Sequence, residues 1–211
     1  MSTEEIQCKL HSTKSAERRR AAKEIGKLKI HELADELYSA YLNELNDKRT
    51  WETQVEMILA LGQLNYKNAI NDINKIVKAN APHDMITYAA AQTYVRLQRQ
   101  SLEDASPILE LLAFGGLSIV DGCLNPLGYD RMQPPAYQIK ELITLTWNLH
   151  KHKDYESGYG DPRYGIAAAC AGWDKNLTQH FLEHCIETAD GYTPLIYVSE
   201  NSLKGKYVTL R

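Results

Sequence analysis

One helical hairpin recurs along this chain at a nearly fixed offset. In VEMILALGQLNYKNAINDINKIV, Val55, Ile58, Leu59, Leu61 and Leu64 share one face of a helix, and Ile70, Ile73, Ile76 and Val77 share one face of a second. Asn65 to Asn68 form the turn between them. The preceding stretch has the same design. SAERRRAAKEIGKLK places Ala21, Ala22, Ile25 and Leu28 at helical spacing, and HELADELYSAYLNEL does so with Leu33, Leu37, Tyr38, Tyr41, Leu42 and Leu45. EIGKL and ALGQL align without gaps, so Gly26 falls on Gly62 and Leu28 on Leu64, an offset of 36 residues. A third copy, HDMITYAAAQTYVRL with the shorter SPILELLAF, brings Leu97 onto Leu64 at an offset of 33. A lone hairpin cannot bury its apolar face, so repetition at this period predicts stacked hairpins.

The rhythm loosens after residue 112. Between Phe114 and Gln138 stand Gly115, Gly116, Gly122, Pro126, Gly128, Pro134 and Pro135, which predict a short helix with an extended loop. AYQIKELITLTWNLH resumes a firm amphipathic helix with Ile139, Leu142, Ile143, Leu145, Thr146 and Leu149 available to its core side. A polar Gly- and Tyr-containing loop, HKHKDYESGYGDPRYG, follows. In DPRYGIAAACAGW, Asp161 can cap, Pro162 suits a first helical position, and the alanines let a neighbouring helix approach closely. NLTQHFLEHCIETA is its partner, and a short helix near Pro194 to Leu203 closes the chain, with only KYVTLR readable as extended.

RRAAKEIGKL, VEMILALGQLNYKNAINDI and YAAAQTYVRL, followed less closely by RYGIAAACAGW, resemble the HEAT-repeat family in its short bacterial form. The resemblance covers residues 15 to 112 well and 161 to 188 loosely. It implies an all-α fold, a right-handed α-solenoid of about five HEAT-like antiparallel hairpins forming a single domain over residues 1–211. Residues 15–112 would be regular repeats, 113–160 an irregular repeat with long loops, and 161–206 a C-terminal repeat and cap. Proteins of this kind mostly bind other proteins along successive second helices.

Composition narrows the function classes. The chain is 44% apolar and 24% charged with a net charge of −3, an ordinary globular balance that gives no general attraction to nucleic acid or anionic membranes. The exception is local: eight basic residues lie between Lys9 and Lys29 against Glu17 and Glu24. MSTEEIQCKLHSTKS has no signal-peptide core and no stretch is long enough to span a bilayer. Cys8, Cys123, Cys170 and Cys185 are scattered without a CxxC pair, as reduced thiols are. These features predict a cytoplasmic protein that meets no membrane.

No motif of spacing specific to a cofactor, a metal or a nucleophile occurs. His150, Lys151, His152 and Lys153 read as a solvated helix end. His180 and His184 share a helical face, but HFLEH is not HExxH, because Glu183 stands in the wrong place for that general base. FGGLSIVDG follows a helix rather than a strand and reads as a helix junction. An enzymatic alternative follows from the resemblance, since some HEAT-like proteins are alkylpurine DNA glycosylases; Trp51, Trp147, Trp173, Asp161 and Arg163 could serve that chemistry. Against it, residues 107 to 211 carry nine basic and twelve acidic side chains.

The tyrosines are more informative. Of 13, Tyr129, Tyr137, Tyr155, Tyr159, Tyr164 and Tyr192 fall in or beside the irregular loops of the second half. Loop tyrosines are efficient interface anchors, giving large contact area at small entropic cost. Asp130, Asp154, Glu156 and Asp161 lie among them and favour a partner with a basic surface. The expected partner-binding residues are Tyr129, Arg131, Asp154, Tyr155, Glu156, Tyr159, Asp161 and Arg163, with no catalytic residue, metal or cofactor. The reading is a non-enzymatic protein-binding module, in particular a bacterial immunity protein that neutralises a toxin domain. The alternatives are a general scaffold or assembly factor of the phycobilin-lyase-like repeat type, and the glycosylase.

Overall fold

The computed structural model describes residues 2–149 and 160–208. All regular structure among them is helical, in twelve α-helices joined by turns and four short 3-10 segments, with no strand. The chain divides into two compact units, Met1–Gln98 and Arg99–Arg211.

The first unit holds α1 (Thr3–Leu10), α2 (Ser15–Leu28), α3 (Ala34–Glu44), α4 (Trp51–Gln63), α5 (Ile70–Ala79) and α6 (Met85–Gln98). Its local structure repeats as the sequence does. α2 ends at Lys29, whose φ of 53° turns the chain so that the Ile30 N–H bonds the Ile25 carbonyl; α4 ends at the equivalent Asn65, φ 52°, with the Tyr66 N–H on the Leu61 carbonyl. The 3-10 turns His31–Leu33 and Lys67–Ala69 then stand at the same 36-residue offset, as do the starts of α3 and α5.

α2 packs on α4 and α4 on α6, while α3 packs against α4 and α5 against α6. The approach is close because Gly26 and Gly62 present no side chain. A Cβ on Gly26 would lie 3.0 Å from the Ala60 Cα, and one on Gly62 would lie 2.7 Å from Thr93 Oγ1 and 3.1 Å from the Thr93 Cα. Hydroxyls stitch the same seams: Thr53 donates to the Ser15 carbonyl at 3.2 Å and Thr93 to the Ile58 carbonyl at 2.8 Å. The core contains Ala21, Ala22, Ile25, Leu37, Tyr41, Ile58, Leu61, Ile73 and Val95.

Three leucines read from spacing as core-facing lie outside it: Leu28, Leu42 and Leu45 are 54%, 40% and 42% exposed. Leu28 is the last residue of α2, and the contact face there is the narrow strip through Ala22, Ile25 and Gly26. α1 was not anticipated, although its signal is in the sequence. Ser2 and Glu5 form a reciprocal capping box, and Ile6 and Leu10 bury its inner face.

The second unit holds α7 (Ser106–Phe114), α8 (Leu117–Tyr129), α9 (Ala136–Leu149), α10 (Arg163–Ala169), α11 (Lys175–Glu187) and α12 (Thr193–Leu203). α8 packs on α7 and α10, α10 also on α9 and α12, and α11 on α9 and α12. The expected short helix is α8, which runs for 13 residues through Gly122, Pro126 and Gly128 and leaves residues 130–135 as the loop. Gly115 and Gly116 provide its entry, both at positive φ. Burial of Ile119, Val120, Cys123, Leu124 and Leu127 outweighs poor helix propensity. The cap position of α10 is Pro162 rather than the expected Asp161, which stands one residue earlier and whose Oδ1 accepts the Arg163 N–H at 2.9 Å.

Candidate functional site

The second unit contains a cleft of about 720 Å³ walled by the start of α10, by α12 and by the segment after it. Four tyrosines face it: Tyr164, Tyr192, Tyr197 and Tyr207, accompanied by Pro194, Val198, Asn201, Lys206 and Val208. Each ring is positioned by backbone. Tyr164 lies in the first turn of α10, and Tyr192 caps α12 after a turn through Asp190 (φ 47°) and Gly191 (φ 83°). Tyr197 stands on α12 and is 61% exposed. Tyr207 returns to the site because Gly205, at φ 69°, reverses the chain after α12 and the Lys206 N–H bonds the Asn201 carbonyl. Gly172 leaves room for the Tyr207 hydroxyl, which occupies the place a Cβ would take.

α12 itself is anchored by Ser202, whose hydroxyl donates to the Ala167 carbonyl at 2.6 Å. The wall of the cleft is therefore fixed to the core of the unit.

Arg131 joins this region. It follows α8 in the left-handed conformation, φ 51°, and its guanidinium carbon lies 4.8 Å from the centre of the Tyr207 ring. Such cation–π stacking at an exposed site contributes about 0.5–1 kcal/mol. Tyr129, at the end of α8, is 46% exposed. The structure thus links Arg131 to the cleft and leaves Tyr129 at a surface two residues away.

Asp161 and Arg163 have a different place. Arg163 is buried, pairs with Asp161 through Nε at 2.9 Å and Nη2 at 2.5 Å, and donates to the Thr188 hydroxyl at 2.7 Å and the Thr188 carbonyl at 3.1 Å. Its guanidinium also stacks 5.1 Å from the Trp147 ring. Since Thr188 caps the C-terminus of α11, Arg163 ties the start of α10 to that helix end, where a cation is favoured. Its donors are spent inside the unit and are not offered to a partner. Asp154, Tyr155, Glu156 and Tyr159, together with His150 to Lys153, lie outside the described residues.

Asp121 on α8 is half-buried, and burial followed by the Asp161 carboxylate raises its pKa to about 6. Tyr192 is also raised, first by burial and then by Tyr164, Asp161 and Asp121. At the cleft itself Lys206 is among the lining residues, and Arg131 stacks on Tyr207.

Other candidate chemistry is dispersed. Among the described residues no group of three His, Cys, Asp or Glu side chains could hold a metal. The His180 and His184 rings are parallel at 6.0 Å, and His184 stacks on Trp147 at 4.5 Å. Burial pushes the Cys123 and Cys170 thiols well up and Cys185 to about 12, which disfavours the thiolates that nucleophilic attack requires. Of the tryptophans recruited to the glycosylase alternative, Trp147 meets Arg163, whereas Trp173 is buried with its indole N–H on the Met132 carbonyl at 2.9 Å and Trp51 belongs to the first unit. In the basic α2, Arg18 makes a paired contact with buried Glu44 at 2.7 Å through both Nε and Nη2, and Arg19 pairs with Glu52. No helix among the described residues is long and apolar enough to cross a membrane.

Sequence reasoning named Tyr164 and Tyr192 among the loop tyrosines but passed over Tyr197, Lys206 and Tyr207. Tyr197 had a visible signal, an aromatic residue off the apolar stripe of a short helix. The return of Tyr207 depends on a turn whose tertiary partner, Gly172, is 35 residues away. Comparison with protein-family models, with curated proteins and with solved structures gives no match to this chain.

Proposed function

We propose that this chain is a HEAT-like right-handed α-solenoid that binds another protein and catalyses no reaction, with the tyrosine-lined cleft of its second unit as the docking site. The observation that carries this reading is the convergence of Tyr164, Tyr192, Tyr197 and Tyr207 on one cleft walled by the start of α10, by α12 and by the segment after it. Aromatic rings in a preformed groove are what interface hot spots are made of. The 36-residue recurrence of helix, left-handed turn, 3-10 turn and helix supports the repeat architecture. Within this class we favour a cytoplasmic immunity protein that occludes a toxin domain, on the grounds of small size and an acidic second half; a scaffold or assembly factor is the alternative.

The engagement of Arg18 and Arg19 by Glu44 and Glu52 weighs against a phosphate-binding face on α2, as the glycosylase alternative would use. The test is affinity capture from the native host with the wild-type chain and with Tyr197→Ala combined with Tyr207→Ala. Capture of one protein by the wild type and its loss with the double variant, by about 2 kcal/mol or more in a direct titration, supports the reading. Far-UV circular dichroism must show the variant still helical. Retention by the double variant, with loss on neutralising Arg18, Arg19 and Arg20, overturns the assignment of the site.

A further inference from the structure

The lining of the tyrosine cleft differs in charge from the unit around it. Residues 107 to 211 carry nine basic and twelve acidic side chains, yet the charged residue among those lining the cleft is Lys206. A second cation adjoins the same ring. Lys206 precedes Tyr207 in the chain, and the Arg131 guanidinium carbon lies 4.8 Å from the centre of the Tyr207 ring. The Tyr207 hydroxyl accepts from Gln133 Nε2 at 3.4 Å, which leaves its own proton to give, and a lysine ammonium can only donate. A group that enters beside Tyr207 is therefore best matched when it brings acceptor oxygens and a negative charge. Away from Lys206 the wall is aromatic and aliphatic, from Tyr164, Tyr192, Pro194, Tyr197 and Val198. Proline suits such a wall. Its ring stacks on aromatic faces, it has no N–H to leave unpaired, and its extended conformation is set before binding.

We propose that the cleft receives an extended, proline-containing segment of the partner protein, whose aspartate or glutamate meets Lys206 beside Tyr207. This rests on the protein-binding reading above and specifies the part of the partner that enters. The complementary charge at the cleft is negative, opposite to the basic partner surface that the loop carboxylates favour. Ser202 on the Ala167 carbonyl and the seat of the Tyr207 hydroxyl against Gly172 hold two walls in place, so a segment that is itself already extended loses little freedom on binding.

The experiment titrates the full chain, carrying ring-labelled tyrosine, with four capped pentapeptides: acetyl-Pro-Pro-Glu-Pro-Pro-amide, its glutamine and lysine counterparts, and acetyl-Ala-Ala-Glu-Ala-Ala-amide. The expected result is saturable shifts of the Tyr197 and Tyr207 ring signals with the first peptide, binding about fivefold or more weaker with glutamine, none with lysine, and binding about tenfold weaker with the alanine peptide. Lys206→Gln should reduce the preference for glutamate over glutamine to about twofold or less while leaving the ring signals of the free protein in place. Equal binding of the glutamate and glutamine peptides to the wild type overturns the proposal without recourse to any variant, as does an alanine peptide that matches the proline one. Ring signals that move with protein concentration before any peptide is added would make a second copy of this chain the occupant and overturn it too. Failure here is distinguishable from failure of the protein-binding reading. If no peptide binds but Tyr197→Ala with Tyr207→Ala still abolishes partner capture, the acidic proline segment is wrong and the docking site stands.

Discussion

Asp121 on α8 and Arg163 at the start of α10 meet opposite surroundings. Arg163 is held by Asp161 and Thr188 and stacks on Trp147, whereas among the described residues Asp121 meets burial and then the like charge of Asp161. The folded pKa of Asp121, about 6, lies above its ordinary 3.8. Between those values the folded protein holds a proton that the unfolded chain releases, so this group contributes stability below about pH 4 that is lost as pH rises through 6. Asp121→Asn should therefore stabilise the protein at pH 7 by about 1–3 kcal/mol and have little effect near pH 4. Urea unfolding at the two pH values measures the difference, and an equal effect at both would refute the assignment. Glu44 shows the contrary balance. Burial is the largest single influence and pushes it up, but hydrogen bonds from Arg18 and Thr50 and the Arg18 charge together outweigh it, and its pKa falls below the ordinary value.

Helix pairs in the first unit are set by small residues at crossings. Gly26 and Gly62 are tight alike, since a Cβ on either would meet facing backbone, the Ala60 Cα at 3.0 Å and the Thr93 Cα at 3.1 Å. Gly26→Val and Gly62→Val should each lower stability by about 2 kcal/mol or more, through overpacking of α2 against α4 and of α4 against α6. Thermal unfolding of the two variants decides; a loss near zero in either would mean that its crossing tolerates a shift. In the second unit α8 illustrates the opposite influence. Its glycines and Pro126 disfavour a helix locally, yet Gly165 of α10 approaches so closely that a Cβ there would lie 2.8 Å from the Leu124 side chain. Packing that close fixes the conformation of α8 more firmly than its own residues do.

At the scale of the chain, two compact units each surround their own apolar residues, and the candidate site belongs to the second. Leu61 is fully buried in the first. Leu61→Asp would place an unpaired charge among α2, α4 and α6, at a cost of several kcal/mol. Hydrogen exchange should then show amides of α2, α4 and α6 losing protection. Protection retained there would mean that Leu61 does not hold the unit together.

Local pattern was enough to determine the helices of residues 15 to 112, because three- and four-residue apolar spacing and a recurring glycine are properties of short segments. It also marked Pro194 to Leu203 as a last helix. Tertiary structure decided what local pattern could not express. α8 is a helix despite its breakers because burial compensates for propensity, and Leu28, Leu42 and Leu45 stay exposed because the neighbouring helices meet narrower strips than periodicity suggests. The site shows the same division. Tyrosine abundance in the second half was plain, but a cleft is a relation among residues far apart in sequence. Arg163 and Asp161, expected among the partner-binding residues, pair with each other inside the unit, since a charged side chain reads identically whether its partners are solvent or Thr188. Tyr207 reaches Tyr164 only through the reversal at Gly205 and the space beside Gly172, two steps of three-dimensional geometry that no spacing along the chain encodes.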